Sequence, residues 1–164
     1  MSDYIIRKIE LNELNACAEI IRESFSTVAK TFNLTEENCP SNGAFIKAER
    51  LILEMSKGNI MYGLFYNSSL IGFVELEDKG AGRFELEKLA VLPTYKHQGY
   101  GTILLDYAIK TVNEMRGETI TIGIIEQNTI LKSWYLKHGF AHTGTKEFPH
   151  LPFLVGFMEL RPMI

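Results

Sequence analysis

Residues 91–105, VLPTYKHQGYGTILL, restrict the possible folds more than any other stretch of the chain. A run of β-type residues, 84–91, leads through Pro93 into the turn Lys96-His97-Gln98-Gly99-Tyr100-Gly101. A helix over about 102–116 follows directly, with Leu105, Ala108, Ile109, Val112 and Met115 as its apolar stripe and Gly117 as its cap. Strand, glycine turn and helix in this order imply an α/β domain. They also make an anion site. The first N–H groups of a helix have no internal partner, the helix dipole favours negative charge there, and glycines let the backbone approach a bulky pyrophosphate. The turn is not a P-loop, since GxxxxGK[ST] is absent, and G-x-G-x-x-G does not fit Gly99, Gly101 and the residues after them. Taken alone, it is equally a helix-capping turn with two glycines.

The remaining pattern fits one domain over residues 1–164, with antiparallel hairpins first and a βαβα unit in the middle. Strands are expected at 4–8, 60–66, 70–77, 84–91, 119–124, 140–146 and 153–160, and helices at 14–25, 44–57, 102–116 and 129–138. Residues 33–43 are dense in turn formers, and 78–82 reads as a hairpin loop. In the strand at 70–77, Leu70, Gly72, Val74 and Leu76 fall on one face, and Phe73, Glu75 and Glu77 on the other. A net charge of -3 carries no basic excess, so no nucleic-acid partner is expected. The first 14 residues lack the apolar core of a signal peptide, and no apolar run approaches the roughly 18 residues that span a bilayer. The expectation is a cytoplasmic protein without a membrane partner. Cys17 and Cys39 form no CxxC pair and the four histidines show no ligand spacing, so no metal is expected; Cys17, in an apolar helix, reads as a buried structural thiol.

A second block, residues 128–140 (NTILKSWYLKHGF), places Asn128 and Tyr135 seven residues apart, on one face of a helix. By itself Tyr135 is better explained as a half-buried core aromatic. Together the two blocks resemble the GNAT superfamily of acetyl-CoA-dependent N-acetyltransferases. The family motif R/Q-x-x-G-x-G/A corresponds to Lys96 through Gly101, with Lys96 in place of Arg or Gln. The later motif N-x-x-A-x-x-x-Y-x-K-x-G-F is met by Asn128, Tyr135, Lys137, Gly139 and Phe140, with Leu131 where Ala is usual.

The resemblance implies a GNAT-like single domain: a mixed sheet of about seven strands with splayed middle strands, flanked by about four helices. It implies acetyl-CoA as cosubstrate, no metal, and direct attack by a primary amine in a ternary complex. The pyrophosphate would lie on the backbone of Lys96, His97, Gln98, Gly99, Tyr100, Gly101 and Thr102. A backbone N–H among Leu89, Ala90 and Val91 would meet the thioester carbonyl, and pantetheine would fill the splay. Asn128 would bond the pantetheine arm, and Tyr135 would protonate the departing thiolate. Glu87, with Glu85 as an auxiliary candidate, would be the base, although a solvated strand carboxylate explains Glu87 equally well. The acceptor pocket would be shaped by residues 25–44 and 147–155, with Phe25, Phe32, Phe148 and Phe153.

The hairpin through 78–82 is expected to bring Glu75, Glu77, Glu85 and Glu87 onto one surface, with Lys88 on the opposite face, which would suit a cationic acceptor. A non-catalytic acyl-CoA-binding regulatory domain and a nucleotide-binding domain are the alternative readings. Oligomeric state is open, a homodimer being one option.

Overall fold

The computed structural model describes residues 3–162; the remaining ends of the expected 1–164 span lie outside the described residues. Seven strands form one mixed sheet. They are β1 (Tyr4–Lys8), β2 (Ile60–Tyr66), β3 (Ser69–Gly80), β4 (Arg83–Val91), β5 (Thr119–Ile125), β6 (Ala141–Lys146) and β7 (Val155–Leu160), in the order β1-β2-β3-β4-β5-β7-β6. All neighbours are antiparallel except β4 and β5, which a helical crossover joins in parallel. Helices α1 (Leu14–Thr31) and α2 (Ala48–Ser56) cover one face, where Ile21 and Leu51 pack on Phe73 and Ala90. Helices α3 (Tyr100–Glu114) and α4 (Thr129–Lys137) cover the other, where Leu104, Ala108 and Tyr135 pack on Val74, Leu86 and Ile122. No helix among the described residues is long and apolar enough to cross a membrane.

The expected α/β architecture is therefore present, with differences of extent. Helix α1 runs on to Thr31, because Ala29 continues its buried stripe. The helix expected at 44–57 is divided: Asn42 caps a 3-10 turn at Gly43–Phe45, and α2 begins only at Ala48. Helix α3 starts at Tyr100, inside the glycine turn. At its far end Arg116, not Gly117, takes the left-handed conformation (φ 60°); Gly117 is required because a Cβ there would collide with Val112 and Phe84. Cys17 and Cys39 are free and buried, and burial pushes the Cys17 thiol up to about 12, which keeps it inert.

Two bulges change which side chains share a face. Leu64 opposes Gly72 while Phe65 opposes Leu70, so Ile71 is surplus in the ladder. Leu70 consequently joins the α1 side of the sheet instead of sharing a face with Gly72, Val74 and Leu76 as the alternation predicts. In β4, Glu75 opposes Lys88 while Leu76 opposes Leu86, which leaves Glu87 as the extra residue. Phe84 and Leu86 before this bulge, and Leu89 and Val91 after it, all pack on the α3 side. Lys88 and Ala90 point to the α1 and α2 side, so Lys88 shares the glutamate face and is not on the opposite one.

The middle of the sheet splays as expected. β4 and β5 are paired only at Arg83–Thr119, Phe84–Ile120 and Glu85–Thr121. Beyond Glu85 the two strands separate, leaving a gap that opens toward the glycine turn.

Candidate active site

The gap leaves backbone groups of β4 without a strand partner, and each must bond elsewhere. Val91 N–H donates to Ser24 Oγ of α1 at 3.3 Å, whereas Leu92 N–H donates to Ile71 O of β3. Since N–H groups alternate along a strand, Leu89 N–H faces the gap together with Val91, and Ala90 N–H faces β3. Of the three expected backbone residues, two thus front the gap. Ser24, buried on the inner stripe of α1, was legible only as a packing residue.

The glycine turn closes the open end of the gap. His97 (φ 63°) and Gly99 (φ 90°) take left-handed conformations, a combination that draws successive N–H groups into a concavity at the start of α3. The side chains around it are engaged within the protein. Lys96 Nζ donates to Ser24 O at 3.0 Å, and burial pulls its pKa down. Gln98 donates to Thr94 O at 3.1 Å, and the Tyr100 ring stacks edgewise on Tyr4, Tyr66 and Tyr95. His138 Nδ1 lies 2.7 Å from the Trp134 carbonyl, which can only accept, so Nδ1 carries the proton and Nε2 accepts from Thr102 Oγ at 3.0 Å. A Cβ on Gly101 would sit in ordinary contact, 3.5 Å from the Trp134 ring, so α4 lies close to the first turn of α3 without requiring glycine at this position. What the turn presents to a ligand is chiefly its backbone.

Asn128 caps α4: its Oδ1 accepts from Leu131 N–H at 3.2 Å, which leaves the amide N–H groups for a ligand. Two turns on, Tyr135 is buried against Trp134 and Phe140, in the same core cluster as Val91, Ile122 and Ile124. Burial raises the phenol above its ordinary range, so it stays protonated and able to donate.

On the α1 and α2 side, carboxylate oxygens of Glu77, Glu85 and Glu87 all lie within 4.8 Å of one another. Lys79 Nζ stands 3.7 Å from Glu77 and Glu85. Glu87 is pushed up to about 8, first by burial, then by the Glu85 charge and a hydrogen bond with Glu77, with Lys88 acting the other way. The expected fourth member, Glu75, is not on this surface. It is fully buried under α2, where it accepts from Asn59 Nδ2 at 2.8 Å and pairs with Lys88 at 3.2 Å. Glu54 of α2 completes that group at 2.8 Å from Lys88, a partner 34 positions away that no local pattern announces.

Of the aromatics expected near the acceptor, Phe25 packs against Gly43 within the α1 core. Phe32 and Phe153 cover Ile125 of β5. Phe148 lines a cavity of about 620 Å³ with Gln127, Glu147 and Leu151.

A splayed strand pair ending on a helix N-terminus, with a buried phenol on one side of the sheet and carboxylates on the other, is the layout of a CoA-dependent acyltransferase. Residues 15–140 match the model of the Acetyltransferase (GNAT) family. The chain is 33% identical to the spermidine N(1)-acetyltransferase of Thermoplasma acidophilum over 143 residues, 82% of this chain and 86% of that protein. The PaiA N-acetyltransferase of Thermoplasma acidophilum, solved in complex with coenzyme A, shares 25% identity and a TM-score of 0.76 over 98% of this chain and 99% of that one. The ribosomal-protein-S18-alanine N-acetyltransferase of Escherichia coli also reaches a TM-score of 0.76, over 98% of this chain and 95% of its own, but at 16% identity it shows the shared fold alone. The chain belongs to the GNAT family, and its cosubstrate is acetyl-CoA.

Gly99 has no atom within 4 Å of where a Cβ would stand, so its requirement is conformational and not spatial. Gly99→Val should weaken CoA binding about tenfold or more, as strain of 1–2 kcal/mol implies, while Gly99→Asn, tolerant of the left-handed region, should lose less. Calorimetry with CoA checks this; equal affinity in the wild type and the Val variant would remove the turn from the binding site.

Proposed function

We propose that residues 1–164 act as one N-acetyltransferase domain that acetylates a primary amine of a cationic, polyamine-type acceptor. Attack on acetyl-CoA is direct, in a ternary complex. The observation that carries this reading is the Glu77, Glu85 and Glu87 trio with its raised Glu87 carboxyl. The 33% identical relative is named for spermidine, which supports the same acceptor class.

An alkylamine with a pKa near 10 arrives protonated at neutral pH and must lose that proton to attack. The trio attracts the cation, and the added positive charge draws Glu87 toward its carboxylate form. Glu87 then takes the proton, directly or through water. Leu89 N–H, fronting the gap, donates to the carbonyl oxygen as negative charge builds on it. Tyr135 donates its phenolic proton to the leaving thiolate; the dry surroundings that raise the phenol raise the thiolate in the same sense. Asn128 and the backbone of the glycine turn hold the pantetheine and pyrophosphate. A cytoplasmic location fits this use of acetyl-CoA. The proposed chemistry draws on one chain, so it does not depend on whether the chain forms a homodimer.

Turnover across spermidine, a lysine peptide and a neutral amine tests the acceptor. Spermidine should give the highest kcat/KM, about tenfold or more above the neutral amine, and the advantage should shrink as salt rises. A neutral best substrate without salt dependence would overturn the acceptor class and leave acetyl transfer intact.

Tyr135→Phe should keep CoA affinity and lower kcat roughly 10²- to 10⁴-fold. Full turnover in that variant would return Tyr135 to the status of a core aromatic.

The pH profile tests the base. Glu87 acts only when deprotonated, so kcat/KM should rise with pH through about 8, the value to which Glu87 is pushed. The acceptor amine forms a separate limb near pH 10. Glu87→Gln should abolish the lower limb; a limb unchanged in that variant excludes Glu87 as the base.

A further inference from the structure

Lys88 is almost fully buried, at 6% exposure, in a place where strict alternation would not have put it. The bulge at Glu87 turns it beneath α2, where its ammonium lies between Glu54 Oε1 at 2.8 Å and Glu75 Oε1 at 3.2 Å. Glu75 Oε2 accepts from Asn59 Nδ2 at 2.8 Å, and Glu54 Oε2 from Arg50 Nε at 3.2 Å. Carboxylates from α2 and β3 thus meet the β4 cation, and Arg50 and Asn59 hold those carboxylates in place. A buried ion cluster of this kind is no better for stability than well-packed apolar residues of similar volume. Its placement beside the extra residue of β4 calls for a reason other than stability.

Were Glu87 paired opposite Glu75 instead of bulged, every later residue of β4 would turn over. Leu89 and Val91 would leave the α3 core, and the Leu89 N–H would turn away from the gap. The bulge therefore sets two functional directions together: Glu87 toward its carboxylate partners and Leu89 N–H toward the gap.

We propose that Lys88 is a positioning residue for acetyl transfer: clamped by Glu54 and Glu75, its ammonium fixes the β4 bulge and with it the aim of Glu87 and of the Leu89 N–H. The inference rests on the base and carbonyl-binding roles proposed above. It extends them to a residue that touches neither substrate, and it gives Glu75, displaced from the acceptor surface, a function in the same machinery.

The experiment uses the full chain. Lys88→Met alone leaves Glu75 buried without its cation and destabilises the fold, so the decisive variant is the double Lys88→Met, Glu75→Gln, which removes that buried pair at similar volume and leaves Glu54 its Arg50 partner. The clamp is lost while the glycine turn and Asn128 are untouched. kcat with spermidine should fall about tenfold or more, with KM for acetyl-CoA within about twofold of wild type and the melting temperature retained. Wild-type kcat in the folded double variant overturns the proposal, and so does a loss that appears wholly in KM for acetyl-CoA. Glu87→Gln, assayed alongside, separates the two levels. Impaired Glu87→Gln with a fully active double variant sinks the clamp and spares the base. Fully active Glu87→Gln removes the base, and the clamp's action through Glu87 with it.

Discussion

The parting of β4 from β5 after Glu85 is the constraint from which the site follows. A strand inside a sheet normally spends its backbone groups on its neighbours, and a ligand can use them only where a neighbour is withdrawn. Three paired positions hold the two halves of the sheet together, and the next residues of β4 turn inner-strand backbone toward the gap. Ser24 of α1 answers one of these groups at Val91, and Lys96 returns to the carbonyl of the same serine. Helix α1, the β4 backbone and the glycine turn therefore meet at a single residue that carries no charge.

Around that frame the electrostatics divide cleanly between the two faces of the sheet. Under α3 and α4 the surroundings are apolar, and burial keeps the Tyr135 phenol neutral. Under α1 and α2 the acidic residues separate into two groups with different solutions. Glu54 and Glu75 flank a buried lysine, whereas Glu77, Glu85 and Glu87 crowd together with the partly exposed Lys79 as their nearby cation. Crowding and burial raise Glu87; in the neighbouring group the pairing with Lys88 holds Glu54 below its ordinary value, while burial pushes Glu75 up to about 7. The β4 bulge draws the boundary between the groups, since it sends Glu87 to one and Lys88 to the other.

Much of this was legible in sequence wherever the cause is local. The glycine turn, the cap at Asn128, the Asn128–Tyr135 spacing and most strand limits depend on residues within a few positions of one another. What sequence missed depends on register or on distant partners. Alternation assumes an unbroken count, and nothing in residues 70–71 or 86–88 announces the extra residues Ile71 and Glu87. Leu70 and Lys88 were assigned to the wrong faces for that reason, and Glu75 was expected on the surface. Ser24 meets Val91 across 67 positions and Glu54 meets Lys88 across 34, separations at which a hydroxyl or carboxylate on a helix gives no sign of its partner.

The three-position joint has another side when the sheet is considered as something the chain must assemble. The meander from β2 to β4 grows through turns of two residues, and each turn is followed at once by a long ladder. The β4–β5 pair instead closes a loop from Arg83 to Thr119 and gains three paired positions for it. Loop closure must come before such non-local pairing can contribute, which makes this the slowest kind of contact to form. The sparseness that leaves backbone free for catalysis thus gives the sheet its least cooperative seam, and the part of the molecule that handles the substrate rests on the pairing the chain has least inducement to make first.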